Sequence, residues 1–354
     1  MYQINIYPMK SMLLTGIREM EMRVTPDPVI TRDDDVLIRM KTIGVCGSDV
    51  HYYTTGRIGS QVVTYPFAVG HETAGVVEKT GSGVTRVKPG DKIALDPAIS
   101  CGECDQCLAG REHTCRNLTF LGCPGQAEGS LSEFIVMPEK CCYPIPDLMT
   151  LDQATLSEPL SVGIYAIRLS GLPGTGTDIG ILGCGPIGMS VLLASQVMGA
   201  EKFYVTDRLD YRLEKARKAG ATWTGNPDKE DIVKSITEME PRSLDIVFEC
   251  CGQQEAMDQA IALLKPGGKI VLVGIPEFDS WSFPADQIRR KEINIQNVRR
   301  QNDCVQPALD MIAEGKVDVD QLVTHHYPFG QTKEAFDLVD QYADGVLKAM
   351  ITFE

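Results

Sequence analysis

The stretch Ile179-Gly180-Ile181-Leu182-Gly183-Cys184-Gly185-Pro186-Ile187-Gly188 decides the fold. An apolar run of strand character ends in a G-x-G-x-x-G hexamer, and a second apolar run follows at once. Glycine-rich hexamers are common, so these six residues alone carry little. In a strand–turn–helix setting they describe a dinucleotide-binding turn. The glycines let the backbone approach a pyrophosphate, and the helix N-terminus offers N–H groups and the positive end of its dipole. The next strand-like run, 202–206, leads into Asp207, about 20 residues on, where this fold carries its ribose-binding acid. Asp207 would accept hydrogen bonds from the ribose hydroxyls and repel a 2′-phosphate, which favours NAD over NADP. Arg208, its neighbour, softens that preference. Gly183, Gly185, Pro186, Ile187, Gly188, Asp207 and Arg208 are the candidate cofactor contacts.

Outward from this turn the same alternation continues. Strand-like runs at 179–182, 202–206, 244–249, 269–274 and 293–298 are separated by helix-like runs at 187–198, 210–219, 228–239 and 255–264. Gly220 and Pro266-Gly267-Gly268 stand as stop signals after two of the helices. Alternation of this kind predicts a doubly wound parallel sheet. The chain before it, to about Pro146, is β-rich, with short strand-like runs at 36–45, 73–80, 92–96 and 132–137 and turns such as Pro89-Gly90-Asp91. Thr150 with Gln153 forms a capping box for a helix through Glu158. The tail adds helix-like runs at 304–314 and 332–342 and a final strand, and can return to the first domain.

The length, 354 residues, predicts about two domains at roughly 150 residues each. The net charge of −14 argues against nucleic-acid and anionic-membrane partners, which need a basic face. Residues 179–200 carry no charge and are long enough to span a bilayer. Their clustered glycines fit a buried strand, tight turn and helix better. The N-terminus, MYQINIYPMK, lacks a signal-peptide apolar core. A cytoplasmic protein is expected.

Four of the twelve cysteines crowd into Cys101-x-x-Cys104-x-x-Cys107-x7-Cys115. In a reducing compartment such a cluster reads as a metal site before it reads as disulfides. Four thiolates wrap one Zn²⁺ tetrahedrally and leave no open position, which is the mark of a structural zinc. A second set is scattered: Cys46 in Gly44-Val45-Cys46-Gly47-Ser48-Asp49, His71-Glu72 after Pro66, and Glu158 in Ser157-Glu158-Pro159. One thiolate, one imidazole and one or two carboxylates would make an open, catalytic zinc site. Spacing alone leaves this grouping beside a blander one, a core cysteine and a surface His-Glu pair.

The chain resembles the zinc-containing medium-chain dehydrogenase/reductase superfamily, and within it the polyol (sorbitol/xylitol) dehydrogenase group. The carriers are Cys46-Gly-Ser-Asp-Val-His51-Tyr-Tyr, Gly56-Arg-Ile-Gly59, Gly70-His-Glu-Thr-Ala-Gly75, Pro89-Gly-Asp91, the four-cysteine lobe, Ser157-Glu-Pro-Leu-Ser-Val-Gly163, Gly183–Gly188 and Val323-Thr-His-His-Tyr-Pro328. The resemblance implies an α/β architecture: a GroES-like catalytic domain from residues 1–160 and 299–354, with its zinc lobe at about 97–118, and a Rossmann domain at 161–298. It implies Cys46, His71 and Glu72 as catalytic zinc ligands, with Glu158 as a fourth, direct or through water. Ser48 and His51 correspond to a proton-relay pair, and Arg300 to an arginine near cofactor and substrate. Two zinc ions per subunit, NAD and a homo-oligomer, tetramer or dimer, are expected.

The run Arg299-Arg300-Gln301 departs from the group's aromatic-Arg-Tyr pattern, which puts plain sorbitol in doubt as substrate. Arg299 admits two readings: a partner for an anionic end of the substrate, or a solvated side chain. The activity implied is NAD-dependent oxidation of a secondary alcohol in a polyol or sugar derivative. Sugar-acid dehydrogenases of the L-idonate type and L-threonine dehydrogenases are the alternatives within the class. A non-catalytic binding protein on the same fold is the alternative outside it, and the intact ligand set and Asp207 speak against that.

Overall fold

The computed structural model describes residues 8–172 and 174–354. The chain forms two compact units, one from residues 8–158 with Val323–Glu354 and one from Pro159–Leu322.

The first unit is built on a seven-stranded sheet. Its order is Cys142–Pro144, Lys92–Leu95, Glu72–Thr80, Asp35–Gly44, Lys348–Thr352 and Val323–Pro328, and Phe134–Pro138 also pairs with Asp35–Gly44. The long central strand alternates apolar residues inward, and Val36, Ile38, Met40 and Ile43 join Val77, Ile93, Leu95, Leu131 and Ile351 in the core. Two register pairs matter for the site: Gly44 opposes Glu72 on one side and Met350 on the other. The capping box forms as expected, with Thr150 accepting from Gln153 N at 3.1 Å and Gln153 accepting from Thr150 N at 3.0 Å. It starts a short helix, Leu151–Thr155, and Glu158 belongs to the next one, Ser157–Ser170.

The second unit is an all-parallel six-stranded sheet, ordered Trp223–Gly225, Lys202–Thr206, Asp178–Leu182, Leu244–Glu249, Leu264–Leu272 and Asn294–Asn297. Counted along the chain this is the order 3-2-1-4-5-6 of a dinucleotide-binding Rossmann sheet, with its switch point beside Asp178–Leu182. The expected membrane-length run is this strand plus the helix Pro186–Val197, and among the described residues no helix is long and apolar enough to cross a membrane.

The structure corrects several expected elements. Trp223–Gly225 is a strand too short to show a period. The helix expected from 228 begins at Ile232, because Asn226 pins the preceding turn through Asp228 N at 3.0 Å and Asp231 caps the helix instead. Pro266-Gly267-Gly268 follows the end of the helix Gln254–Leu263, as expected, and also takes part in the next strand. It forms a bulge within the strand Leu264–Leu272, where the register slips between Leu244↔Leu264 and Ile246↔Lys269. The expected domain boundary after Val298 differs too. Arg299 to Leu322, including the helix Val305–Ala313, clusters with the second unit, and the return to the first begins at Val323.

Candidate metal and dinucleotide sites

The four-cysteine lobe is a loop with one helical turn, Asp105–Leu108, and one 3₁₀ turn, Glu112–Thr114. Four sulfurs at about 2.3 Å from one Zn²⁺ would lie about 3.8 Å apart. Here Cys101 and Cys115 are 3.4 Å apart, Cys104 and Cys107 3.6 Å, and Cys101–Cys107 and Cys104–Cys115 3.9 Å. This is the one group of three or more potential ligands, among the described residues, whose donor atoms all lie within 4.8 Å of one another. Backbone N–H groups of Arg116 and Cys107 hold the Cys104 thiol down to about 6, and those of Glu103 and Cys104 lower Cys101. Burial pushes Cys107 up to about 12. Four sulfurs at tetrahedral spacing, two of them with lowered thiol pKa, fit a closed zinc site.

The second set gathers where the central strand meets its neighbour. Cys46 follows the strand Asp35–Gly44 and is the N-cap residue of the helix Gly47–Thr55. His71 precedes the strand Glu72–Thr80, and the Gly44↔Glu72 register brings the two together. Ser48 donates to Cys46 Sγ at 3.3 Å, and His51 lies one helical turn on, on the same face. His71 Nδ1 meets Asp49 Oδ1 at 3.2 Å, an oxygen that also accepts from Gly70 N at 3.2 Å. Asp49 is 1% exposed and its Oδ2 has no partner. The Phe120 ring lies 5.4 Å from the His71 ring. Burial alone would lower the His71 pKa, but Asp49 and Cys46 raise it well above the ordinary imidazole value, so the pocket favours positive charge at this point. Glu158 is buried, and burial, reinforced by Glu72, pushes its carboxyl up to about 7 against the pull of His71 and Lys348.

The Glu72 carboxylate meets a lysine from a distant strand. Both of its carboxylate oxygens accept from Lys348 Nζ, at 2.7 and 2.5 Å, and both side chains are 1% exposed. Cys46, His71, Glu72 and Glu158 therefore do not form a tight four-donor group. The soft thiolate, the imidazole with a carboxylate behind it, and Glu158 fit a zinc ion. Sequence reasoning missed Asp49 and Lys348. Asp49 sits in a quoted motif but had no assigned role, and the signal for Lys348 was a lone lysine heading the buried strand Lys348–Thr352.

In the second unit the glycine turn has its expected form. Gly183 adopts φ +96°, Gly185 is the N-cap, and Pro186 opens the helix with Ile187 after it. A Cβ on Gly188 would lie 1.9 Å from Gly183 O, so only glycine closes this turn. Asp207 accepts from Cys184 N at 2.7 Å and Leu209 N at 3.0 Å, with Arg212 Nη1 at 3.8 Å. Arg208 points away to an exposed pair with Asp228 at 2.9 Å. Arg300 has φ +56°, Arg299 is exposed, and Gln301 is buried with its amide oxygen accepting from Cys304 N at 2.8 Å. Gln301 thus serves its own loop.

Residues 32–147 match the alcohol dehydrogenase GroES-like domain and 186–314 the zinc-binding dehydrogenase domain. A sorbitol dehydrogenase from Bacillus subtilis is 36% identical over 344 residues, covering 97% of each chain. An L-idonate 5-dehydrogenase from Vitis vinifera is 36% identical over 310 residues, covering 86% of this chain and 84% of that one. Among solved structures, an Escherichia coli oxidoreductase of unknown specificity superposes with TM-score 0.93 at 32% identity, covering 98% and 100% of the two chains. The chain belongs to the zinc-containing medium-chain alcohol dehydrogenase family. Within that family it falls in the polyol dehydrogenase group, and it is an enzyme that uses a pyridine nucleotide.

Proposed function

We propose that this enzyme transfers a hydride between NAD and a secondary alcohol of a polyol or related sugar derivative. The observation that carries this reading is the pairing of partly buried Cys46 with buried His71, with Asp49 behind the imidazole and Ser48 donating to the Cys46 sulfur. Cys46, His71 and a glutamate carboxylate would hold a catalytic zinc, and Cys101, Cys104, Cys107 and Cys115 a structural one. Bound zinc supplies a Lewis acid that lowers the pKa of the substrate hydroxyl. Bound NAD⁺ supplies the hydride acceptor.

The chain's own residues supply the rest. Asp49 accepts a hydrogen bond from Nδ1–H of His71, which fixes the ring and would leave Nε2 free to hold a metal. Ser48 turns its hydroxyl from Cys46 to the substrate and passes the proton toward His51. Phe120 forms an apolar wall that keeps water from the reacting carbon. Backbone N–H groups at the start of the helix Pro186–Val197 hold the pyrophosphate, and Asp207 accepts from the ribose hydroxyls. A zinc lobe of four cysteines suits a reducing compartment, the cytoplasm. The strand Asn294–Asn297 at a sheet edge supports a homo-oligomer, tetramer or dimer.

NAD⁺ is expected to be preferred over NADP⁺. Asp207→Ala should narrow the kcat/KM ratio by roughly tenfold or more, by removing a like-charge contact with the 2′-phosphate and leaving Arg208 and Arg212 to meet it. Wild-type preference for NADP⁺ would contradict this assignment.

The substrate class is tested by NAD⁺ reduction across neutral polyols, sugar acids and amino acids, in wild type and Arg299→Ala. Because Arg299 is exposed, its removal should leave KM for xylitol and sorbitol unchanged. A rise confined to sugar acids or sugar phosphates would move the substrate to an anionic class.

A further inference from the structure

We propose that the outer edge of the strand Glu19–Thr25 is a self-complementary interface, at which two copies of this chain pair antiparallel about Met22. The inference is independent of the catalytic reading.

Glu19–Thr25 pairs with Met9–Gly16 on one side, and among the described residues no backbone hydrogen bond reaches its other edge. An open edge of this kind is a template for a further strand. The register shows which groups it leaves unused. Met12 and Leu14 turn their N–H groups away from the hairpin, to Leu131 O and Phe67 O, each at 2.8 Å. Their cross-strand partners, Met22 and Met20, therefore point their own N–H and C=O groups to the open edge, as does Val24 two residues on. Side chains follow the same alternation. Met20, Met22 and Val24 share the face of Met12 and Leu14, which belong to the core. The apolar face thus runs on past its last covered strand, with Met22 37% exposed and Val24 68%. A cavity of about 400 Å³ opens beside Met22, walled by Phe134, Phe329 and Phe353.

The sequence Glu19-Met20-Glu21-Met22-Arg23-Val24-Thr25 is complementary to itself. With a two-fold axis at Met22, Met22 meets its copy, Met20 meets Val24 and Glu21 meets Arg23. The residues with unused backbone groups then fall in hydrogen-bonded pairs. The opposite charges fall in the non-hydrogen-bonded pairs, where side chains approach most closely. The neighbouring registers, with the axis at Glu21 or at Arg23, would set two glutamates or two arginines face to face, so charge selects the Met22 register. In the single chain Arg23 meets Glu21 at 2.7 Å, an exposed pair that contributes little and is easily exchanged for a cross-strand one. The partner's Met20, Met22 and Val24 arrive on the apolar face and cover what one copy leaves open. Such a contact is isologous, so it closes at two copies and does not grow into a fibre.

The test is the assembled mass of the full chain by analytical ultracentrifugation. Glu21→Arg and Arg23→Glu each set like charges on facing strands, and each should lower the mass to about half that of wild type. Mixing these two variants pairs arginines with glutamates again and should restore the wild-type mass. The double exchange Glu21→Arg/Arg23→Glu should restore it within one chain. Met22→Pro removes an N–H that the hairpin does not use, and should halve the mass while the far-UV spectrum stays that of wild type. Wild-type mass in both single-charge variants would overturn the proposal. So would halved mass that neither mixing nor the double exchange restores. A monomeric wild type would mean that this edge takes no second copy, and would overturn it too.

Discussion

Cys46→Ala is expected to yield a folded protein that holds one zinc per subunit where wild type holds two, with turnover lower by about 10³-fold or more. The size follows from losing a Lewis acid that contributes several kcal/mol to the transition state, at about 1.4 kcal/mol per factor of ten. Folding should survive for reasons local to the residue. Cys46 is only partly buried, and its side chain makes no capping hydrogen bond to the helix Gly47–Thr55. What it loses is the hydrogen bond from Ser48. The four-cysteine lobe shares no residue with this site and should keep its zinc. Elemental analysis with steady-state kinetics reads both quantities, and retained turnover would remove Cys46 from the metal centre.

Cys104→Ser should act in the opposite sense, on stability before chemistry. The lobe has two short helical turns and a two-stranded ribbon, Ala98–Ile99 with Thr119–Phe120, and little apolar core of its own, with Leu108 exposed at 77%. A loop of this kind draws its order from the metal, so binding free energy is folding free energy. Cys104 is the thiol held lowest, at about 6, and replacing it removes the donor most ready to be a thiolate. The expected result is one zinc lost and a Tm lower by roughly 10 °C or more. Protein that stays folded should keep its second zinc and its turnover. Abolished turnover with unchanged Tm and assembly would mean the roles of the two sites are exchanged.

The parts of this molecule that sequence discloses are those whose partners are close along the chain. The glycine hexamer, the acid ending the next strand, the capping box at Thr150 and the cysteine spacing each complete their geometry within a few tens of residues. What it conceals depends on register between distant strands. The Glu72 carboxylate meets Lys348, 276 positions away, where Gly44 leaves room for it. Gln301 departs from the family pattern, and the fold uses its amide oxygen to accept from Cys304 N. Pro266-Gly267-Gly268 follows its helix as a stop signal should, and what the local signs do not disclose is that pairing with the strand Leu244–Glu249 takes these residues into a bulged strand.

The most direct measurement is the rate of NADH formation from xylitol and sorbitol by zinc-replete enzyme, repeated after chelation and after zinc is restored. Turnover with NAD⁺ is expected to be lost on chelation and to return with zinc. Polyol oxidation that persists without zinc, or no NAD⁺ reduction by any polyol in the zinc-loaded protein, would contradict it.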